Sequence, residues 1–403
     1  MSNGFRLDRG KQFAAWLDDN TLLVSRAWQP DQVTSSGYPF VIKKWQRGRA
    51  LDTAVEIARG TPDDVEATPA VFVDGDGDRL TLIERRPSFF TAEFRLTGEH
   101  NDLLALPPKA QIEGLVHNKL LVTINEDWDG FPAGSLVSLD AGAVATAPQE
   151  LQPTLVVAPG PRDTLTGVVT THDQVVVTSL HNVRGRATCY TLGADGWNGA
   201  PVALPDNASI DIADYDLHGN GAYLWVTSFL TPPTLWSLDA TTARAEAVKT
   251  MPPQFDATGE VVEQLQAISK DGTVVPYFVV HPAAMQLDGS NPTILYAYGG
   301  FADPIVPTYG GTLGALWLTH GGVYVLANIR GGGEFGPAWH EAALTVNRQR
   351  AFDDFAAVGA DLIARHITSP RRLGIQGGSN GGLLMGVEFT QHPQMWHAVD
   401  MQV

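Results

Sequence analysis

A single cysteine, Cys189, stands in 403 residues. No disulfide can close within the chain, so the fold rests on packing and hydrogen bonding rather than on oxidation. Basic residues are also scarce, with 27 lysines and arginines against 44 aspartates and glutamates and a formal net charge of −17. A chain of that charge repels phosphate backbones, which argues against nucleic acid as a partner. No run of about 18 apolar residues occurs, so no membrane-spanning helix is expected. The start, MSNGFRLDRGKQFAAWLDDN, has no apolar stretch behind a basic one and does not read as a signal peptide. The expected compartment is therefore cytoplasmic, with periplasmic export left open should the natural start lie upstream. WHEAA at Trp339–Ala343 lacks the second histidine of a zinc-binding H-E-x-x-H. Nothing in the sequence indicates a metal, an organic cofactor or a lipid anchor, and oligomeric state leaves no mark in it.

What is present is an ordinary globular composition, 44% hydrophobic and 18% charged, with 41 glycines and 26 prolines to make turns. The length favours two domains. Over the first part, five apolar runs each follow a polar turn: DDNTLLVSRA, DGDRLTLIER, HNKLLVTINE, HDQVVVTSLH and GNGAYLWVTSF. Val24, Leu82, Val122, Val177 and Val226 take equivalent places in them, spaced by the roughly 40–60 residues of a four-stranded propeller blade. A β-sandwich is the rival, but sandwiches rarely repeat so long a unit. Residues 1–254 are read as propeller blades. Phe255 to Val262 reads as a linker, and residues 255–403 as a different domain. There, near-continuous apolar runs (Tyr277–Pro282, Thr293–Gly300, Val323–Arg330, Arg372–Gly378) read as buried strands of a parallel sheet. Ala351–His366 reads as an amphipathic helix, with Phe352, Phe355, Leu362 and Ile363 on one side and Asp353 and Asp354 in its first turn, facing the dipole.

Near the end stands GIQGGSNGGLLMG, in which Gly377-Gly378-Ser379-Asn380-Gly381 fits G-x-S-x-G between a strand and a helix expected over residues 382–391. That context suits a nucleophile elbow, in which a serine sits at the tip of a sharp strand-to-helix turn. The flanking glycines avoid clashes, and the N–H of Asn380 is aimed where an oxyanion would form. A glycine-rich turn with a capping serine is the plainer reading. A second cluster, Gly331, Gly333 and Gly336, satisfies G-x-G-x-x-G and raises a dinucleotide site. Pro337 follows at once, and the next clear helix lies well beyond it, whereas a pyrophosphate site needs the helix to open within the glycine loop.

YAYGGF (Tyr296–Phe301), ANIRGGGEFG (Ala327–Gly336), WHEAALTVNRQRAFDDF (Trp339–Phe355) and GGSNGG (Gly377–Gly382), in this order, resemble the prolyl oligopeptidase family of serine peptidases. The resemblance is strong from Phe255 onward and weaker before it. It implies a seven-bladed β-propeller screening an α/β-hydrolase domain from large folded proteins. In residues, it implies Ser379 as nucleophile, the backbone N–H of Asn380 and the hydroxyl of Tyr298 as the two halves of the oxyanion hole, and Phe301 as an aromatic wall of the substrate pocket. Arg330, Glu334, Asp353 and Asp354 fall in family motifs and are read as ion-pair and capping residues.

A serine peptidase also needs a histidine to take the serine proton and a carboxylate to orient it, in the order Ser, Asp/Glu, His on this fold. His392, His397 and Asp400 follow Ser379, but in the wrong order and on the wrong elements. The expectation is therefore an internal fragment: about five of seven blades, then the start of the hydrolase domain, with the acid and base beyond Val403 and the chain inactive as written. The expected activity is endopeptidase cleavage of oligopeptides, by the resemblance after proline. An esterase on the same fold, or a non-catalytic propeller protein with a vestigial hydrolase half, are the alternatives.

Overall fold

The structure is a computed structural model that describes residues 4–98 and 100–403. Five antiparallel sheets follow one another over residues 12–59, 66–96, 110–157, 163–201 and 209–250. Four have four strands and the second has three, each strand pairing with its sequence neighbour. This is the blade pattern of a propeller. Val24, Leu82, Val122, Val177 and Val226 all lie on the second strand of their blades and are at most 3% exposed. Leu82, Val122, Val177 and Val226 pack in clusters shared with a neighbouring sheet, so these blades are stable only against one another, whereas Val24 packs within the first blade. Leu23, Ile42, Ala67 and Ile83 join the first blade to the second, for example.

Successive turns of a blade point alternately to the two faces of the propeller. Those between second and third strands point at the second domain. Phe89 there stands 6.2 Å from Phe301, and Asn182 Nδ2 donates to Gln264 Oε1 at 3.2 Å. Val183 and Phe229 enter one apolar cluster with Phe278, Val280, Leu318 and Leu326. Val183 is fully buried with φ = 67°, a left-handed backbone that a β-branched residue rarely adopts. The burial of its side chain between the domains offsets that strain.

The second domain is a six-stranded sheet: β1 (Glu260–Ile268), β2 (Val274–Pro282), β3 (Thr293–Tyr296), β4 (Val323–Ala327), β5 (Leu373–Gly378) and β6 (Ala398–Gln402). Their order is β1-β2-β4-β3-β5-β6, antiparallel from β1 to β4 and parallel from β4 to β6. This is the start of an α/β-hydrolase sheet. Phe355, Val358 and Leu362, from the helix Gln349–Ala364, pack on Leu295, Val325 and Ile375 of the sheet.

Three local expectations change. Glu260–Val262 belong to β1 rather than to a linker. The glycine cluster is followed directly by a five-residue helix, Pro337–Glu341. The long helix opens at Gln349, so Asp353 and Asp354 are not in its first turn and do not cap it. Asp354 instead points inward, fully buried, and accepts Arg330 Nη2 at 2.6 Å and Nε at 2.9 Å. Pairing with a buried guanidinium outweighs a helix-end effect of under about 1 kcal/mol.

Candidate active site

β5 ends at Gly378, the helix Asn380–Gln391 begins one residue later, and Ser379 alone makes the turn. Its φ of 54° and ψ of −117° lie in a sparsely populated region for a residue with a side chain, a strain of about 1–3 kcal/mol. Backbone bonds hold it there. Ser379 N–H donates to Gln402 O at 3.1 Å, and Ser379 O accepts from Gly382 and Leu383 N–H at 2.9 and 3.2 Å. The two flanking glycines are required by close approach: a Cβ on Gly377 would lie 2.5 Å from Gly381 O, and one on Gly381 would lie 2.8 Å from Ala297 O. The serine side chain is left exposed at the C-terminal edge of the parallel strands. The helix starts at once, two residues earlier than its apolar pattern suggests, so its free N–H groups and positive dipole end adjoin the serine.

The sheet brings Tyr298 and Asn380 together. Tyr298 lies just past β3, the strand next to β5, and half-buried it packs against Gly381 of the elbow. Asn380 Nδ2 donates to Tyr298 O at 2.6 Å. Phe301 follows on a turn in which both it and Ala302 are left-handed (φ 58° and 56°). His340 Nδ1 lies 3.0 Å from Ala302 N and 2.7 Å from Gly331 O, so one neutral tautomer accepts from this turn and the other donates to the neighbouring glycine loop. Phe301 itself is 57% exposed and lines a cavity of about 1010 Å³ between the two domains. The hydrolase side of that cavity also carries His340 and Glu341, and the propeller side Arg86, Phe89, Phe90 and Lys109. Lys109 Nζ pairs with Glu341 across the mouth, and Phe90 lies 5.3 Å from His340. Sequence reasoning missed this propeller wall. Two aromatics at a hairpin tip, SFFT, are its only local trace. A second cavity of about 510 Å³, between the first two blades, touches none of these residues.

The remaining candidates lie apart. His397 N–H pairs with Leu373 O at the start of β5, whereas Ser379 follows its end, about 20 Å away at strand rise. His392 follows the far end of the helix from Ser379, about 18 Å along its axis. Asp400 accepts from Gln376 and Gln402. The recorded hydrogen bonds of Ser379 are all made by its backbone. The loop Gly331–Gly336 serves the fold: Arg330 before it bridges Asp354 and Asp271, and Glu334 within it accepts Ile305 N–H at 3.0 Å. Burial pushes the Glu334 carboxyl up to about 7.

Comparison with known proteins decides the family. Residues 3–251 match the family model for the prolyl oligopeptidase N-terminal β-propeller domain, and residues 312–403 match the prolyl oligopeptidase family peptidase model. The chain belongs to the prolyl oligopeptidase family. An uncharacterized peptidase of Sinorhizobium fredii is 42% identical over all of this chain and 57% of its own length. The prolyl endopeptidase of Elizabethkingia meningoseptica is 38% identical over 43% of this chain and 24% of its own. Among solved structures, a post-proline cleaving enzyme from Rickettsia typhi superposes with a TM-score of 0.87 at 30% identity, covering 97% of this chain and 58% of that one. The chain thus spans a little under three-fifths of the length of the Sinorhizobium fredii peptidase and of the Rickettsia typhi enzyme.

Proposed function

We propose that Ser379 is the nucleophile of a serine peptidase that cleaves short peptides after proline. The observation that carries this reading is the strained turn at Ser379, set beside Tyr298 and the first N–H groups of a helix. In the proposed reaction, Ser379 Oγ attacks the carbonyl carbon of the scissile bond while its proton passes to a general base, which hands it to the amine as the C–N bond breaks. Asn380 N–H and the Tyr298 hydroxyl stabilise the oxyanion. The amine leaves with a proton, and water releases the acyl group from the serine. Proline as the residue before the cut is supported by the names of the relatives. Restriction to short peptides is supported by the cavity between the domains, which Phe301 lines and the propeller roofs.

Among the described residues no histidine hydrogen-bonds to the Ser379 side chain. We therefore propose that its own peptide turnover is about 10⁴–10⁶-fold below that of an enzyme with a complete triad. An activated ester separates attack from turnover, because its leaving group needs no proton. Incubation with an N-acyl-Gly-Pro p-nitrophenyl ester, followed by peptide mapping, should place the acyl group on Ser379, with no hydrolysis of the matching fluorogenic amide. Acylation elsewhere, or acylation that persists in Ser379→Ala, would sink the reading.

A further inference from the structure

Behind the elbow lies a cation that has no salt-bridge partner among the described residues. Arg348 immediately precedes the Gln349–Ala364 helix and is half-buried. Its Nη1 donates to Gly299 O at 2.6 Å and its Nη2 to Asn380 Oδ1 at 3.0 Å, both neutral acceptors. The Phe352 ring lies 5.4 Å from its guanidinium carbon. Burial draws its pKa down. An arginine whose only task was to hold the fold would be expected to have an acidic partner, as Arg330 has in Asp354 and Asp271.

The acceptors explain the placement. Gly299 is the residue after Tyr298, and Asn380 reaches back through Nδ2 to Tyr298 O at 2.6 Å. Arg348, Gly299, Tyr298 and Asn380 thus close a ring of hydrogen bonds. That ring joins the two segments that carry the oxyanion donors. A planar fork with two fixed donors suits acceptors on two different segments, and bonds from a cation are about twice as strong as neutral ones. The space is also tight, since a Cβ on Gly331 would come within 2.8 Å of Nη1.

We propose that Arg348 is a positioning residue. It locks the Tyr298–Gly299 segment to Asn380 and so sets the spacing of the two oxyanion donors, with its unpaired positive charge behind them. The negative charge it lacks in the resting protein arrives only with the tetrahedral adduct, which is how a preorganised site favours that state over the ground state. This rests on Ser379 being the nucleophile.

The test compares two ligands on this chain. An N-acyl-Gly-Pro boronic acid forms a boron–oxygen bond to Ser379 Oγ. The serine proton passes to buffer, and the resulting tetrahedral boronate places an oxygen where the oxyanion would sit. The same acyl dipeptide as a primary amide fills the pocket without that adduct. Binding is read by calorimetry, and tetrahedral boron by ¹¹B NMR. Arg348→Gln should weaken boronate binding roughly ten- to a hundredfold while moving amide binding less than about threefold. Arg348→Lys, which keeps the charge but reaches one acceptor at a time, should recover part of the loss. Should the glutamine variant fail to fold, the lysine variant carries the test through the same boronate-specific loss. Boronate binding unchanged in either folded variant, or parallel loss of both ligands, overturns the assignment. A wild-type chain that binds the boronate no better than Ser379→Ala overturns the nucleophile reading, and this assignment with it.

Discussion

Glu388 offers the sharpest test of how the hydrolase domain is held together. It lies in the helix that follows Ser379, is 0% exposed, and neither of its carboxyl oxygens has a hydrogen-bond partner among the described residues. Burial, and next the nearby Asp353 charge, push its carboxyl up to about 8 from an ordinary 4.5. Between those values the folded chain keeps a proton that the unfolded chain has lost. The native state then binds more protons, so stability falls as pH rises through that window and levels off above it. At 1.36 kcal/mol per pH unit, the gap amounts to about 5 kcal/mol. Any relaxation that lets water reach the carboxylate lowers this, so the figure is a ceiling. Glu388→Gln has nearly the same shape and cannot ionise. At pH 5 it should match wild type within about 1 kcal/mol, since both forms leave polar atoms unpaired. At pH 9 it should be more stable by about 3–4 kcal/mol. Urea denaturation of both proteins at several pH values isolates the effect, because every other titrating group cancels in the difference. A difference that stays constant from pH 5 to 9 would refute the argument.

The other predictions concern the ion pair, the domain contact and the pocket. Asp354→Asn leaves Arg330 buried beside a neutral partner and should destabilise the hydrolase domain by about 3–5 kcal/mol in urea denaturation. Arg330 also holds the Asp271 carboxyl well below the usual carboxylate range, a contribution present above the unfolded value of 3.8 and lost as pH falls. In Arg330→Gln stability should therefore depend less steeply on pH in the acid range, so added urea should shift its acid-unfolding midpoint upward by more than in wild type. At Val183, alanine keeps the left-handed strain and loses buried methyls, about 1–2 kcal/mol, whereas glycine also releases about 1–2 kcal/mol of strain. Thermal denaturation should then rank Val183→Gly no less stable than Val183→Ala, the reverse of the usual order. Phe301→Ala should weaken binding of an N-acyl-Gly-Pro amide roughly tenfold, read by calorimetry, because an exposed ring that a ligand would cover is lost.

Much of the fold could be read because it is written locally. Each blade repeats a turn and an apolar strand, and Val24, Leu82, Val122, Val177 and Val226 fall where a core strand of a repeat must be buried. β3 to β5 were visible as apolar runs because parallel strands covered on both faces are apolar throughout, and β2, although antiparallel to both neighbours, is covered on both faces as well. Helix starts were less visible. The Gln349–Ala364 helix opens on Gln-Arg with no side-chain cap, so the pair of aspartates looked like its beginning. What overrode that pattern was Arg330, 24 residues away in sequence, drawing Asp354 into the core.

The same division runs through the site. The elbow could be recognised because its cause is steric and lies within five residues: glycines at two fixed offsets are what permit the backbone of Ser379. Tyr298 carries no such mark. Taken alone, an aromatic at the end of a buried strand reads as core, and its place beside Asn380 follows only from β3 and β5 being neighbours in the sheet. Arg348, Phe89 and Phe90 lie further still from any sequence rule, since one reaches across from a helix start and the others from a different domain. The chemistry expected of Ser379 is thus set by a short motif. What would govern its strength and its proposed choice of peptide is set by contacts between segments up to 250 residues apart (Phe90 to His340). Substitutions in this second group should alter affinity and selectivity while leaving the strained turn intact, and those within the motif should remove the reaction altogether.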